Sequence, residues 1–174
     1  MMKRITLALI LILAIASLLN AYQTGEWVKL TPVGGGFSVM MPAKPEEEVK
    51  PSNDFTMHLF TVATPNAIYL AGYGDYAPTI RLNVDGELAA NRDNFAKGLN
   101  AKVTDSAKIT LGGRPGLEFT AESDQASFKS RVYLLGNRVH QIAVAVFKGK
   151  DDTENANRFF ASFTFASDDA HPKP

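Results

Sequence analysis

Two β-rich runs, residues 127–135 and 138–147, are separated by Gly136-Asn137 alone. A two-residue gap of that composition commits them to a tight antiparallel hairpin. Because side chains alternate faces along a strand, the hairpin also fixes a register. With Leu135 opposite Arg138, Tyr133 lies opposite His140, Arg131 opposite Ile142 and Lys129 opposite Val144, all on one face. A similar turn at Asp124-Gln125 extends the ladder backward and sets Glu118 opposite Arg131. Three antiparallel strands are therefore specified before any other part of the chain is considered.

The remaining elements are arranged around that ladder. Residues 27–30 read as a short strand, Gly34-Gly-Gly36 as a flexible turn, and Phe37-Ser-Val-Met-Met41 as a strand ended by Pro42 and Pro45. Glu46, Glu47 and Glu48 follow as a solvated acidic loop. Residues 55–63 and 67–76 are β-rich and flank the turn chemistry of Thr64-Pro65-Asn66, which predicts a second hairpin. At residue 83 the period changes: Val84, Leu88, Phe95 and Leu99 fall on one face of a helix over residues 83–99, capped by Asn83 or Asp85 and closed near Gly98. Residues 101–111 return to strand, and Gly112-Gly113-Arg114-Pro115-Gly116 reads as a tight connection into residues 117–122. Asp151-Asp-Thr-Glu154 supplies a capping pattern for a last helix with the apolar stripe Ala156, Phe159, Phe160 and Phe163, and residues 167–174 have little to bury and form a flexible tail. Four strands, a helix, four strands and a helix describe an α+β domain, a mainly antiparallel sheet with two principal helices packed on it.

Lys3 and Arg4 precede an apolar run over residues 5–19 that stops at Asn20-Ala21, the pattern of a secretory signal peptide. The run holds fifteen residues, fewer than the about 20 that span a bilayer core, so residues 1–21 are expected to be cleaved, after Ala21 or after Ala16. Retention of this segment would be the chain's route to a membrane. A lipoprotein cleavage site would need a cysteine, and the chain has none. Residues 22–166 are then one domain, expected to hold one core stabilised by packing without disulfides, in the periplasm or secreted. The mature chain carries 16 basic against 18 acidic residues, which gives no basic excess for nucleic acid or anionic lipid.

No motif in the sequence marks a catalytic, cofactor-binding or metal-ligating residue. Gly34-Gly-Gly36 lacks the length and lysine of a phosphate loop, and Gly72-Tyr-Gly74 lies in a strand pattern. Residues 81–92 approach a calcium loop through Asn83, Asp85 and Gly86, but Arg81 and Arg92 stand where carboxylates are required. The three histidines, His58, His140 and His171, show no metal-ligand spacing, and no Gly-x-Ser-x-Gly is present. One constellation remains. The register gathers Glu118, Arg131, Tyr133 and His140 on one face of neighbouring strands. It reads either as a polar ligand patch or as a cross-strand ion pair beside two packed rings at the edge of a covering helix.

Several phrases carry a family likeness: Phe37-Ser-Val-Met-Met-Pro42 with Pro45, Gly113-Arg-Pro-Gly-Leu-Glu118, Arg131-Val-Tyr-Leu-Leu-Gly-Asn-Arg138 leading into Gln141, and Arg158-Phe-Phe-Ala-Ser-Phe163. Through them the chain resembles the PsbP-like superfamily. That α/β/α-type fold is shared by the lumenal extrinsic subunit of photosystem II, the Ran-binding Mog-type proteins and exported bacterial proteins. The resemblance implies a non-catalytic accessory domain that binds a protein partner or a small ligand, with another envelope protein or complex as its counterpart. Two alternatives stand beside it: a hydrolase-like enzyme with a cleft at Glu118, Arg131, Tyr133 and His140, and an extrinsic subunit of a photosynthetic or respiratory membrane complex.

Overall fold

The computed structural model of the chain describes residues 26–166. The expected signal peptide at residues 1–21 and tail at residues 167–174 lie outside the described residues. Among the described residues ten strands and two helices follow in the order β1 (Val28–Leu30), β2 (Phe37–Met41), β3 (Glu46–Pro51), β4 (Phe55–Ala63), β5 (Ala67–Tyr76), α1 (Val84–Gly98), β6 (Lys102–Leu111), β7 (Arg114–Glu122), β8 (Ala126–Leu135), β9 (Arg138–Phe147), α2 (Thr153–Ser162) and β10 (Thr164–Phe165).

Seven of the strands form one antiparallel sheet in the order β3-β4-β5-β9-β8-β7-β6. Two meanders, β3 to β5 and β6 to β9, are joined through α1 and meet where β5 pairs with β9. The register derived from the Gly136-Asn137 turn is the one observed: Leu135 faces Arg138, Tyr133 faces His140, Arg131 faces Ile142 and Lys129 faces Val144. Glu118 faces Arg131 across β7 and β8.

The sheet is covered on both faces, so the core is two clusters where one was expected. On one face Leu88 and Phe95 of α1 pack with Phe119, Phe128, Val132 and Leu70, with Phe95 edge-on to Phe119 and Phe128. On the other, Phe159, Phe160 and Phe163 join Tyr69, Tyr73, Tyr133 and Ile142, together with Phe37, Val39 and Met41 of a small sheet ordered β1-β2-β10. Asn83 caps α1 by accepting from the Gly86 amide at 2.8 Å, as its position before the apolar period predicts. At α2 the capping differs from expectation. Asp151 accepts from the Thr153 amide, while Asp152 occupies the N-cap with its carboxylate turned inward to the Tyr69 hydroxyl and the Asn155 amide.

Three other expectations are corrected. Glu46, Glu47 and Glu48 open the edge strand β3, opposite Thr61, Phe60 and Leu59. Charged side chains are tolerated on an outermost strand and discourage further pairing, so a Glu run there resembles a loop. The connection after β6 is Gly112-Gly113 alone, both at positive φ, and Arg114, Pro115 and Gly116 already belong to β7. Pro115 faces Thr110 just before pairing with β8 begins at Gly116, a strand position that tolerates a missing N–H. Finally, Phe165 and Thr164 form β10 on Phe37 and Ser38, an element too short to show a period.

Candidate functional site

Glu118, Arg131, Tyr133 and His140 do share one sheet face, and the register explains why: each pair is directly opposed, and the two rows lie two residues apart along β8. The cover over that face is uneven, however. Tyr133 and His140 are buried, while the side chains of Glu118 and Arg131 are 28% and 29% exposed.

Tyr133 is stacked on Phe163 at 5.7 Å and meets Phe165 edge-on at 5.4 Å. Burial pushes its phenol pKa up. His140 lies edge-on to Phe37 and Phe165, at 5.8 and 5.1 Å, and its Nε2 is 2.8 Å from the Gly35 carbonyl oxygen. A carbonyl can only accept, so Nε2 carries the proton and the ring is the neutral Nε2–H tautomer. Nδ1 is buried without a hydrogen-bond partner among the described residues. Burial, reinforced by the charges of Arg138 and Arg114, lowers the imidazole pKa to about 4 against the opposing pull of the Gly35 carbonyl. The ring is therefore neutral at pH 7.

At the open end, Arg131 Nε donates to Glu118 Oε2 at 2.5 Å and Nη1 donates to the Phe160 carbonyl at 3.4 Å, with the guanidinium carbon 5.1 Å from the centre of the Phe160 ring. Lys129 Nζ approaches the same Glu118 oxygen at 3.4 Å and also lies over Phe160. Burial alone would raise the Glu118 carboxyl, but the hydrogen bond and charge of Arg131, with help from Lys129, outweigh it and hold the group below the usual carboxylate range.

The structure adds residues that the three-strand register could not supply. Arg138 grips Asp75 through two nitrogens, at 2.6 and 2.8 Å, donates to the Gly34 carbonyl at 2.6 Å and lies over Tyr73. Together with His140 it ties the glycine turn of residues 34–36 onto the sheet. Tyr73 is also stacked on His58 at 4.5 Å, so His58, Tyr73, His140 and Tyr133 form one transverse row over four strands. Finding that row from sequence would have needed the β5–β9 pairing, which spans α1 and three strands and has no local turn to announce it. Among the described residues no group of three or more His, Cys, Asp or Glu side chains is placed to hold a metal ion.

No family model matches the chain, and no curated protein matches it by sequence. Among solved structures, cyanobacterial PsbP (CyanoP) from Synechocystis sp. PCC 6803 superimposes with a TM-score of 0.57 at 9% identity, covering 85% of this chain and 98% of that one. The fold is PsbP-like. A crystal structure from Bacteroides thetaiotaomicron VPI-5482 aligns at a TM-score of 0.39 and 15% identity, over 87% of this chain and 52% of that one. At 9% identity the likeness to PsbP speaks to the PsbP-like architecture, not to its residues or role.

Proposed function

We propose that the protein is an exported, non-catalytic accessory module that binds a protein partner in the cell envelope. The observation that carries this reading is the split of the candidate patch within a PsbP-like fold. Its two groups suited to acid–base or nucleophilic work, Tyr133 and His140, lie beneath Phe163, Phe165 and Phe37, and its open end presents an ion pair on the sheet face. A hydrolytic cleft would need the reverse, with the imidazole facing substrate. The leader pattern of residues 3–19 supports placement outside the cytoplasm.

Fractionation of the host with mass spectrometry of the mature N-terminus, followed by chemical crosslinking in the envelope, tests the reading. A processed chain reproducibly linked to one envelope protein supports it. An unprocessed cytosolic chain, or a processed chain with no partner, contradicts it. A second reading, an extrinsic subunit of a membrane complex, is favoured by the likeness to cyanobacterial PsbP. It calls for release of the protein from washed membranes by high salt and for its retention at low salt.

A further inference from the structure

The first core cluster reaches farther across the sheet than the helix that packs on it. α1 lies over β6, β7 and β8. Strands stand about 4.8 Å apart, so β4, three places beyond β8, is about 14 Å away, more than twice the half-width of a helix. The loop between β5 and α1 stays at the Phe55 end of β4, where the Ala77 amide donates to the Asp54 carbonyl. The small sheet and α2 occupy the opposite face. On the α1 face β4 and β5 nevertheless carry Met57, Leu59, Ile68 and Leu70, and Met57 and Leu59 are only 1% and 3% exposed. No described element is placed to exclude water from them. We propose that residues 5–19 of the unprocessed chain seat on this half of the face and cover it, so that the leader is an intramolecular lid as well as an export signal.

Composition singles out the occupant. Two segments lie outside the described residues, 1–25 and 167–174. The second reads Ser-Asp-Asp-Ala-His-Pro-Lys-Pro and has too little apolar surface to match this bed. Residues 5–19 hold only two polar side chains, Thr6 and Ser17. The bed is shaped to receive them. Gly72 and Gly74 leave room for Leu59 and Phe55 to lie across β5, and Gln141, a polar member of the bed, donates to the Ser130 hydroxyl at 2.9 Å. Lengths agree as well: fifteen residues wound as a helix reach about 22 Å, and Met57 to Ala63 along β4 is about 20 Å. So does the path. Trp27 meets Tyr69 edge-on at 6.2 Å beside the start of β5. Residues 20–26 can extend about 25 Å from there, against about 20 Å between layers on opposite faces of a sheet. Processing after Ala21 would uncover the face. The inference goes beyond the accessory-module reading and needs no partner.

Methionine oxidation by dilute peroxide tests it, because the chain supplies its own control. Met57 belongs to this half of the α1 face, and Met41 is buried beneath the small sheet's own cluster on the other. The full chain, purified with its leader, is compared with Leu9→Glu/Leu13→Glu in the same full chain and with the processed chain from the host. Met57 should be protected in the first and oxidise about tenfold faster or more in the other two, with Met41 slow in all three. Equal protection of Met57 in all three overturns the inference, and protection that then fades on dilution assigns the face to a second copy. Fast oxidation of Met57 in the full chain overturns it too. A parallel rise at Met41 also contradicts it, because the leader would then support the whole fold and not this face. None of these outcomes touches the accessory role, which the envelope crosslinking tests separately.

Discussion

The two ends of the candidate patch occupy the same sheet face, two residues apart on β8, yet they live in different solvents. Tyr133 and His140 sit in an aromatic box where a charge is costly, whereas Glu118 and Arg131 keep water on one side and form an ion pair. Strand periodicity decides which side chains share a face. What lies above that face is decided elsewhere in the chain, here by α2 and β10. The same ladder can therefore bury one pair as packing and leave the next open to water.

The largest expected effect comes from removing the cover. Phe163→Ala deletes the ring stacked on Tyr133 and in contact with Phe37 and Phe165, and should cost about 3 kcal/mol or more in urea unfolding. It should also admit solvent to Tyr133, visible as a changed tyrosine fluorescence and titration. Stability unchanged to within measurement would mean that the box is not closed.

Acid comes next. The His140 pKa falls from 6.5 to about 4 on folding, so the unfolded chain takes up the proton first as pH drops. His140 thus leaves stability intact above pH 6.5, and lowers it progressively between 6.5 and about 4, by about 3 kcal/mol in all. Urea midpoints measured across that range should lose this slope in His140→Gln. Persistence of the slope in the variant would assign it to another group.

Gly116 faces Tyr133 across β7 and β8 and lies beneath its ring. An added Cβ would come within 2.5 Å of Tyr133 Cδ1 and 2.7 Å of the Val132 carbonyl oxygen, and backbone cannot move away freely. Gly116→Ala should cost about 2 kcal/mol, read from the thermal midpoint. Smallest of all is Glu118→Gln, which breaks a partly exposed ion pair and should cost under about 1 kcal/mol, shrinking further in high salt. A loss as large as that from Phe163→Ala would mean the open end is as dry as the closed one.

How much of this could be read from the chain depended on range. Gly136-Asn137 and Thr64-Pro65-Asn66 each close two strands locally, so both hairpins are legible, and for β8–β9 the register also follows from alternation. Asn83 and the spacing of Leu88 and Phe95 likewise locate α1. Of the patch, the shared face was legible and the cover was not: Phe163 and Phe165 reach Tyr133 across about thirty residues, and β10 is held by two pairs with β2 that no periodicity announces. β3 was hidden for the opposite reason. Its glutamates obey the rules of an exposed edge, which are also the rules of a loop.

One measurement addresses the split directly: a long-range ¹H–¹⁵N NMR titration of the His140 imidazole. The account predicts a neutral Nε2–H tautomer through pH 7 and a titration midpoint near 4. A midpoint close to 6.5, with rapid exchange of the ring proton, would place that histidine in water and contradict the division of the patch into a sealed end and an open one.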